Sequence, residues 1–182
     1  MHVLADALPA VLAKFPDFHF VFAGSDSGFD GRPMPEYVTA RAGSLGNRLH
    51  FFPRRPQPEL YPLLEHASFA VLPSLWENLA NTGLEALDMG LPVVATLGCG
   101  FSEVIEDGVS GLLVPPGDAD ALSNAIEQFL QDPHLLQHAA AAAKRRAEAF
   151  GLLPKTAELL RFFEQLSATA AREQRPARVS VA

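Results

Sequence analysis

The regular exchange of short apolar runs with longer amphipathic segments limits this chain more than any other feature. Val3, Leu4, Leu8, Val11, Leu12 and Phe15 fall at spacings of three and four, which predicts a helix over residues 1–15 with no N-cap ahead of it. Pro16-Asp17 breaks that helix, and Phe18 to Ala23 is an aromatic and β-branched run ended by Gly24, the pattern of a strand buried on both faces. The exchange then repeats. Helices are expected over residues 35–44, 58–66 and 82–89, and strands at Arg48 to Phe52, Ser68 to Leu72, Pro92 to Ala95 and Gly111 to Val114. Three more helices are expected from Asp118, Pro133 and Leu153. Strands that alternate with helices pair in parallel through right-handed crossovers, so the fold class is α/β, a doubly wound and mostly parallel sheet with C-terminal helices. Ligands of such sheets sit beyond the carboxyl ends of the strands. That singles out the loops Gly24 to Pro35, Pro53 to Gln57, Pro73 to Asn81 and Thr96 to Glu103.

Composition narrows the function classes. At about 150 residues per domain, 182 residues are one domain with a remainder, which excludes a complete two-domain enzyme. The apolar share of 48% is enough for a sizeable core. Fourteen basic against 21 acidic residues give a net charge of −7, which repels nucleic acid, so no nucleic-acid partner is expected. Cys99, alone in the sequence, forms no internal disulfide and no cysteine-rich metal cage, and it points to a reducing compartment, the cytoplasm. No apolar run reaches the roughly 20 residues of a membrane span, and the N-terminus does not read as a signal peptide. From Ser167 to Ala182 the helical pattern fades into an expected frayed tail.

The chemistry concentrates in Pro73-Ser74-Leu75-Trp76-Glu77-Asn78-Leu79-Ala80-Asn81-Thr82-Gly83-Leu84-Glu85-Ala86, between a strand and an amphipathic helix. Glu77 falls in the loop and Glu85 in the first turn of the helix, so both can border one crevice while the helix N-terminus offers unpaired N–H donors to an anion. A sugar diphosphate needs donors for its phosphate oxygens and carboxylates for its hydroxyls. Each glutamate also has a plain reading. Thr82-Gly83-Leu84-Glu85 spells a capping box, and Glu77 reads equally as a solvated loop acid. A second stretch, Thr96-Leu97-Gly98-Cys99-Gly100-Phe101-Ser102-Glu103, has small residues that let backbone approach a ligand, or it is an ordinary strand-to-helix turn with Glu103 in the favourable first-turn position. Cys99 has no base beside it in sequence and reads as a small packing residue.

With the two glutamates separated by seven residues, followed by Gly90-Leu91-Pro92-Val93-Val94-Ala95 and Asp107-Gly108-Val109-Ser110-Gly111-Leu112-Leu113-Val114-Pro115-Pro116-Gly117-Asp118, the span from Phe18 to about Asp132 resembles the C-terminal, nucleotide-sugar-binding half of family 4 (group 1) glycosyltransferases. Those enzymes adopt the GT-B fold of two facing Rossmann-like domains. The resemblance implies a Rossmann-like donor-binding domain over residues 1–166, lacking its first strand, with a flexible tail over 167–182. It implies retaining transfer of a sugar from a nucleotide-diphosphate donor to an acceptor hydroxyl, with no cofactor and no metal. Glu77 would be the catalytic residue beside the donor sugar. Asn78 and Leu79 would meet the sugar and distal phosphate through backbone, Thr82, Gly83 and Leu84 would present amides to the diphosphate, and Glu85 would bind the ribose. Gly24 would border the donor, and Arg54 and Arg55 would edge the nucleobase or remain solvated loop charges.

The departures from the family pattern bear on activity. Cys99 replaces the first of two paired glycines, and the arginine and lysine that neutralise the diphosphate precede the family's first helix, in which this chain begins. Neither Lys14 nor Arg32 matches them. A sugar, lipid-linked or other acceptor would be held by the absent N-terminal domain, so the chain alone is expected to be nearly inactive. Two other readings stand beside this one: a non-catalytic nucleotide-binding or partner-binding domain, and a sugar-nucleotide epimerase, which would require an additional histidine and acid constellation in the crevice, whereas His50 and His66 read more economically as a strand residue and a helix end. No Gly-x-Gly-x-x-Gly opens a helix after a strand, which sets aside a dinucleotide-dependent dehydrogenase. Lys144, Arg145 and Arg146 beside Glu148 read as a solvated helix face, with peripheral contact to anionic lipid at the inner face of the membrane as the alternative.

Overall fold

The computed structural model describes residues 1–78 and 80–173, with side chains as far as residue 167. In chain order it contains α1 (His2–Lys14), β1 (Phe20–Ala23), α2 (Met34–Ala42), a 3-10 turn (Gly43–Arg48), β2 (Leu49–Phe52), α3 (Gln57–Leu64) and β3 (Ala70–Leu72). There follow α4 (Asn81–Asp88), β4 (Val93–Thr96), α5 (Phe101–Val104), β5 (Gly111–Val114), α6 (Ala119–Gln131), α7 (Pro133–Glu148) and α8 (Leu152–Glu173). The expected alternation is present throughout, and every strand pair is parallel. The chain divides into two compact units, Met1–Ala147 and Glu148–Ala182.

In place of one continuous sheet, the strands form two: β1 with β2, and β3-β4-β5 with β4 in the middle. β4 is buried at all four positions, as its run of Val93, Val94 and Ala95 requires when helices cover both faces. On one face Val94 joins Leu112 and Val114 in a cluster with α1 and α6, while α4 and α5 pack on the other. β1 departs from expectation. Phe20 and Phe22 are buried but Val21 and Ala23 are exposed, because α1 and α2 cover one face and, among the described residues, no strand or helix closes over the other.

Local sequence explains the helix ends. Asp118 caps α6 by accepting from the Ala121 N–H at 2.8 Å, and Asp132 caps α7 by accepting from His134 and Leu135, both at 3.0 Å, just ahead of Pro133 at the first helical position. α8, the body of the second unit, continues to Glu173, beyond the tail boundary expected at Ser167. Alanines at 168, 170 and 171 favour that continuation. The last residues of the expected tail, 174–182, lie outside the described residues. Along α8, Leu153, Leu160 and Phe163 are exposed. Among the described residues no helix is long and apolar enough to cross a membrane.

Arg48 has a role that its place in the sequence does not reveal. Read as the first residue of a strand, it instead closes the 3-10 turn and is buried. Its guanidinium donates to the Phe15, Pro16 and Leu12 carbonyls, at 2.6, 3.1 and 2.5 Å. Those oxygens lie at the end of α1, where carbonyls lack helical partners and the helix dipole favours a cation. One side chain thus locks α1 to the segment entering β2. Arg48→Ala is expected to destabilise the fold by roughly 2–4 kcal/mol, the scale of several charge-assisted bonds lost with buried acceptors left behind. The exposed pair of Arg41 with Asp6, at 2.7 Å, supplies the control: Arg41→Ala is expected to cost about 0–1 kcal/mol. Urea unfolding of both variants checks this, and equal losses would refute the locking role.

Candidate functional site

Parallel strands send all their outgoing loops to one end, so the segments after β1, β2, β3 and β4 share a rim. A cleft of about 1100 Å³ opens there, and Gly24, Arg54, Ser74, Thr82 and Glu85 line its mouth. Four of these, all but Ser74, are expected donor contacts. Glu77, Asn78, Gly83, Leu84 and Arg55 are not part of that lining, and Leu79 lies outside the described residues.

The helix carrying Glu85 begins two residues earlier than its capping-box reading requires. Ala80 is the N-cap of α4 and no side chain caps it, so Thr82 lies inside the helix and Glu85 beyond its first turn. No capping box forms. The half-buried Glu85 carboxylate instead accepts from Gln57 Nε2, on the first residue of α3, at 2.9 Å. Glu85 is therefore free of backbone duty and held at the cleft by a neutral amide that leaves its charge intact. Gln57 was not anticipated; the only signal for it is its position in the expected rim loop.

The expectation for the amides also changes. Leu84 N–H donates to the Ala80 carbonyl at 2.9 Å, the first bond of the helix ladder, and is not available to an anion. The N–H groups of Asn81, Thr82 and Gly83 are the ones that helix geometry leaves without intrahelical partners. Gly83 is buried, and a Cβ added there would meet the Phe101 ring at 3.3 Å, so close packing of α4 on α5 asks for glycine.

Glu77 is half-buried in a loop braced from below. Gly100 N–H donates to the Glu77 carbonyl at 2.8 Å, and a Cβ on Gly100 would lie only 2.3 Å from the Asn78 carbonyl oxygen. The glycine expected to let backbone approach a ligand thus lets the two rim loops approach each other. Glu77 Oε1 accepts from the Asn78 N–H at 3.1 Å, so the amide expected on the sugar and phosphate is occupied by its own neighbour. Beside it Trp76, the single tryptophan, is 75% exposed.

The remaining rim residues divide clearly. Arg54 is exposed, makes no ion pair among the described residues, and is the one arginine or lysine lining the cleft. Arg55 is turned away to Glu59, at 3.0 Å. Cys99 Sγ lies 3.4 Å from the Thr96 carbonyl and fills a turn, in keeping with a packing role. Glu103 is exposed in the first turn of α5, and its carbonyl and that of Val104 accept from Arg146, at 2.6 and 2.9 Å. Arg146 is therefore a brace between α7 and α5 and leaves the solvated face to Lys144 and Arg145. Among the described residues no three His, Cys, Asp or Glu side chains gather in a way that could hold a metal ion.

Comparison with known proteins agrees with this architecture. The family profile described as Glycosyl transferases group 1 matches residues 1–132. A D-inositol 3-phosphate glycosyltransferase from Frankia alni is 31% identical over 173 residues, covering 94% of this chain and 42% of that protein. Among solved structures, HepE from Anabaena in complex with UDP-glucose superposes with a TM-score of 0.72 at 26% identity, over 91% of this chain and 45% of that one. Sucrose-phosphate synthase from Thermosynechococcus elongatus does so with a TM-score of 0.70 at 28% identity, over 91% and 43%. The chain thus spans about two-fifths of the length of the curated relative it matches. With its first 132 residues inside the family match and a Rossmann-like, GT-B-type fold around the cleft, the chain belongs to the glycosyl transferases group 1 family.

Proposed function

We propose that this chain is the donor-binding part of a retaining glycosyltransferase that moves a sugar from a nucleoside diphosphate to an acceptor hydroxyl. The observation that carries the reading is Glu85: a half-buried carboxylate that caps nothing, beside the open N-terminus of α4 in the cleft. The free amides of Asn81, Thr82 and Gly83 offer partial positive charge to the diphosphate, and Glu85 accepts from the ribose hydroxyls. Arg54 lies across the mouth, where a guanidinium can stack on the base. Glu77 borders the sugar and releases the Asn78 amide to the donor when it turns toward a hydroxyl. No metal is required in this reading, because the helix N-terminus and a cation carry the charge of the leaving diphosphate. That HepE was solved with UDP-glucose supports a nucleotide-sugar donor.

One cation at the cleft is few for a leaving diphosphate. The chain by itself binds nucleotide but turns over poorly, and the acceptor site belongs to polypeptide outside these residues. The free thiol Cys99 favours a cytoplasmic setting.

Calorimetric titration with UDP-, GDP- and ADP-sugars, paralleled by Trp76 fluorescence, tests the donor class; no binding by any of them would sink the proposal. Glu85→Ala is expected to weaken nucleotide binding by about 1–3 kcal/mol, the loss of a charged hydrogen-bond partner, with the melting temperature nearly unchanged because no cap is lost. A large fall in melting temperature with intact affinity would return Glu85 to a structural role. Glu77→Gln, assayed in a full-length relative, should lower kcat more than nucleotide affinity, and the reverse pattern would exchange the two glutamates' roles. Gly100→Ala in the same background should lower turnover as well, because its methyl displaces the Glu77 loop; wild-type kinetics would show that the loop contact is dispensable.

A further inference from the structure

Away from the rim, the sheet formed by β1 and β2 carries two imidazoles in contact. His19 Nδ1 lies 2.8 Å from His50 Nε2, with the ring planes 19° apart and the centroids 5.1 Å apart. Rings lying face to face at that centroid separation could not bring two nitrogens so close. The rings therefore meet edge to edge, each nitrogen aimed at the other within its own ring plane, one ring donating its N–H and the other accepting.

The strands dictate this meeting. β1 and β2 run parallel, with Phe20 beside Leu49 and Val21 beside His50. Phe20, Phe22 and Leu49 turn into the core. By alternation, His19, Val21 and His50 stand on the opposite face, and all three are exposed. Arg48, two positions before His50, also donates to the carbonyl of Phe18, the residue before His19. The backbone that carries each ring is thus anchored, and to the same guanidinium.

The fold gains little from the contact itself, since water serves an exposed imidazole as well as a second ring does. Two imidazole nitrogens aimed at one point are, however, what a borderline transition cation takes. With bonds of about 2.0–2.1 Å, two nitrogens on one tetrahedral ion stand roughly 3.3 Å apart, so the pair has to open by only about half an ångström. Both side chains are exposed and free to turn that far.

We propose that His19 and His50 are a chelating pair for one divalent cation of the zinc or copper class, which ties β1 to β2. The proton between the rings leaves the facing nitrogen and, through solvent, returns on the far nitrogen of the same ring. Both facing lone pairs then reach the ion, and a neutral pair releases no net proton. Two side chains are fewer than a closed structural site uses, so water holds the remaining positions. Magnesium, which asks for oxygen ligands, is not held. At about 3.3 Å per residue, His19 stands roughly 16 Å before Gly24 at the mouth of the cleft, and the site is independent of the donor reading.

His134 and His138, exposed and four apart on α7, share a helix face and compete for the same ion, so the test uses the full chain carrying His134→Gln and His138→Gln. Zinc chloride is titrated in while proton–nitrogen correlation spectra follow the imidazoles. The His19 and His50 rings should shift together and saturate below millimolar zinc at one ion per chain, with His2 and His66 unmoved. Magnesium should shift none of them, and EDTA should reverse the change. Copper(II) in place of zinc should give an electron paramagnetic resonance spectrum split by two imidazole nitrogens. His19→Gln and His50→Gln should each weaken zinc binding roughly tenfold or more with the circular dichroism unchanged, and His50→Cys, which keeps a ligand, should restore it. The proposal is overturned by no saturation up to millimolar zinc, by a shift in only one of the two rings, by a single nitrogen in the copper spectrum, or by unchanged affinity in His50→Gln. Should a glutamine variant lose its fold, the copper spectrum of the chain that retains both histidines decides.

Discussion

Parallel pairing is the constraint from which the rest of the structure follows. Two parallel neighbours cannot be joined by a tight turn, so each strand here is followed by a helix or helical crossover before its partner. Every outgoing loop then emerges at the same end. The segments after β1, β2 and β3 are far apart in sequence, yet Gly24, Arg54, Ser74 and Thr82 line one mouth. The chemistry of the rim is a consequence of strand direction before it is a property of any residue.

Within that rim the loops hold each other. The backbone bond between Gly100 and Glu77, and the absence of a side chain at Gly100, fix the loop after β3 against the loop after β4. Arg146 in turn ties α7 to the carbonyls at the end of α5. The backbone position of Glu77 is therefore set by contacts made within the rim itself, which leaves only its side chain to turn. Arg48 acts comparably elsewhere, gathering the carbonyls at the end of α1.

The alternation of elements was legible because it rests on periodicity, which depends only on which residues are apolar. The placement of Glu77 in a loop and of Glu85 in the following helix was legible because their spacing straddles a strand-to-helix boundary. What could not be read depended on geometry that periodicity does not carry. A shift of two residues in the start of α4 decides whether Thr82-Gly83-Leu84-Glu85 is a capping box or leaves Glu85 for the cleft, and helix starts are the least certain part of any pattern. The Gln57 partner of Glu85 lies 28 positions away, with no motif joining them. Arg48 looked like a strand residue because its carbonyl partners are contributed by the end of α1 and the segment after it, distant in sequence. The exposure of Val21 and the division of the sheet were hidden for a related reason: an apolar run shows that a strand has something to bury, not whether anything lies against it.

The division of labour in the cleft follows from charge. If the cleft takes the diphosphate proposed above, Glu85 and Glu77 add negative charge near it, so they help only by taking hydrogen bonds from hydroxyls, and the phosphates are held by something positive. The α4 N-terminus contributes roughly half an elementary charge and Arg54 at most one more. Ground-state binding tolerates a shortfall, because a ligand's hydroxyls, base and backbone contacts share the work. Bond cleavage does not, because the charge that develops on the departing diphosphate is concentrated at the transition state, where missing donors cost the most. On the proposed reading, a cleft lined by Glu85 and one arginine, with Glu77 in the adjoining loop, is thus better matched to holding a nucleotide sugar than to breaking its glycosidic bond unaided.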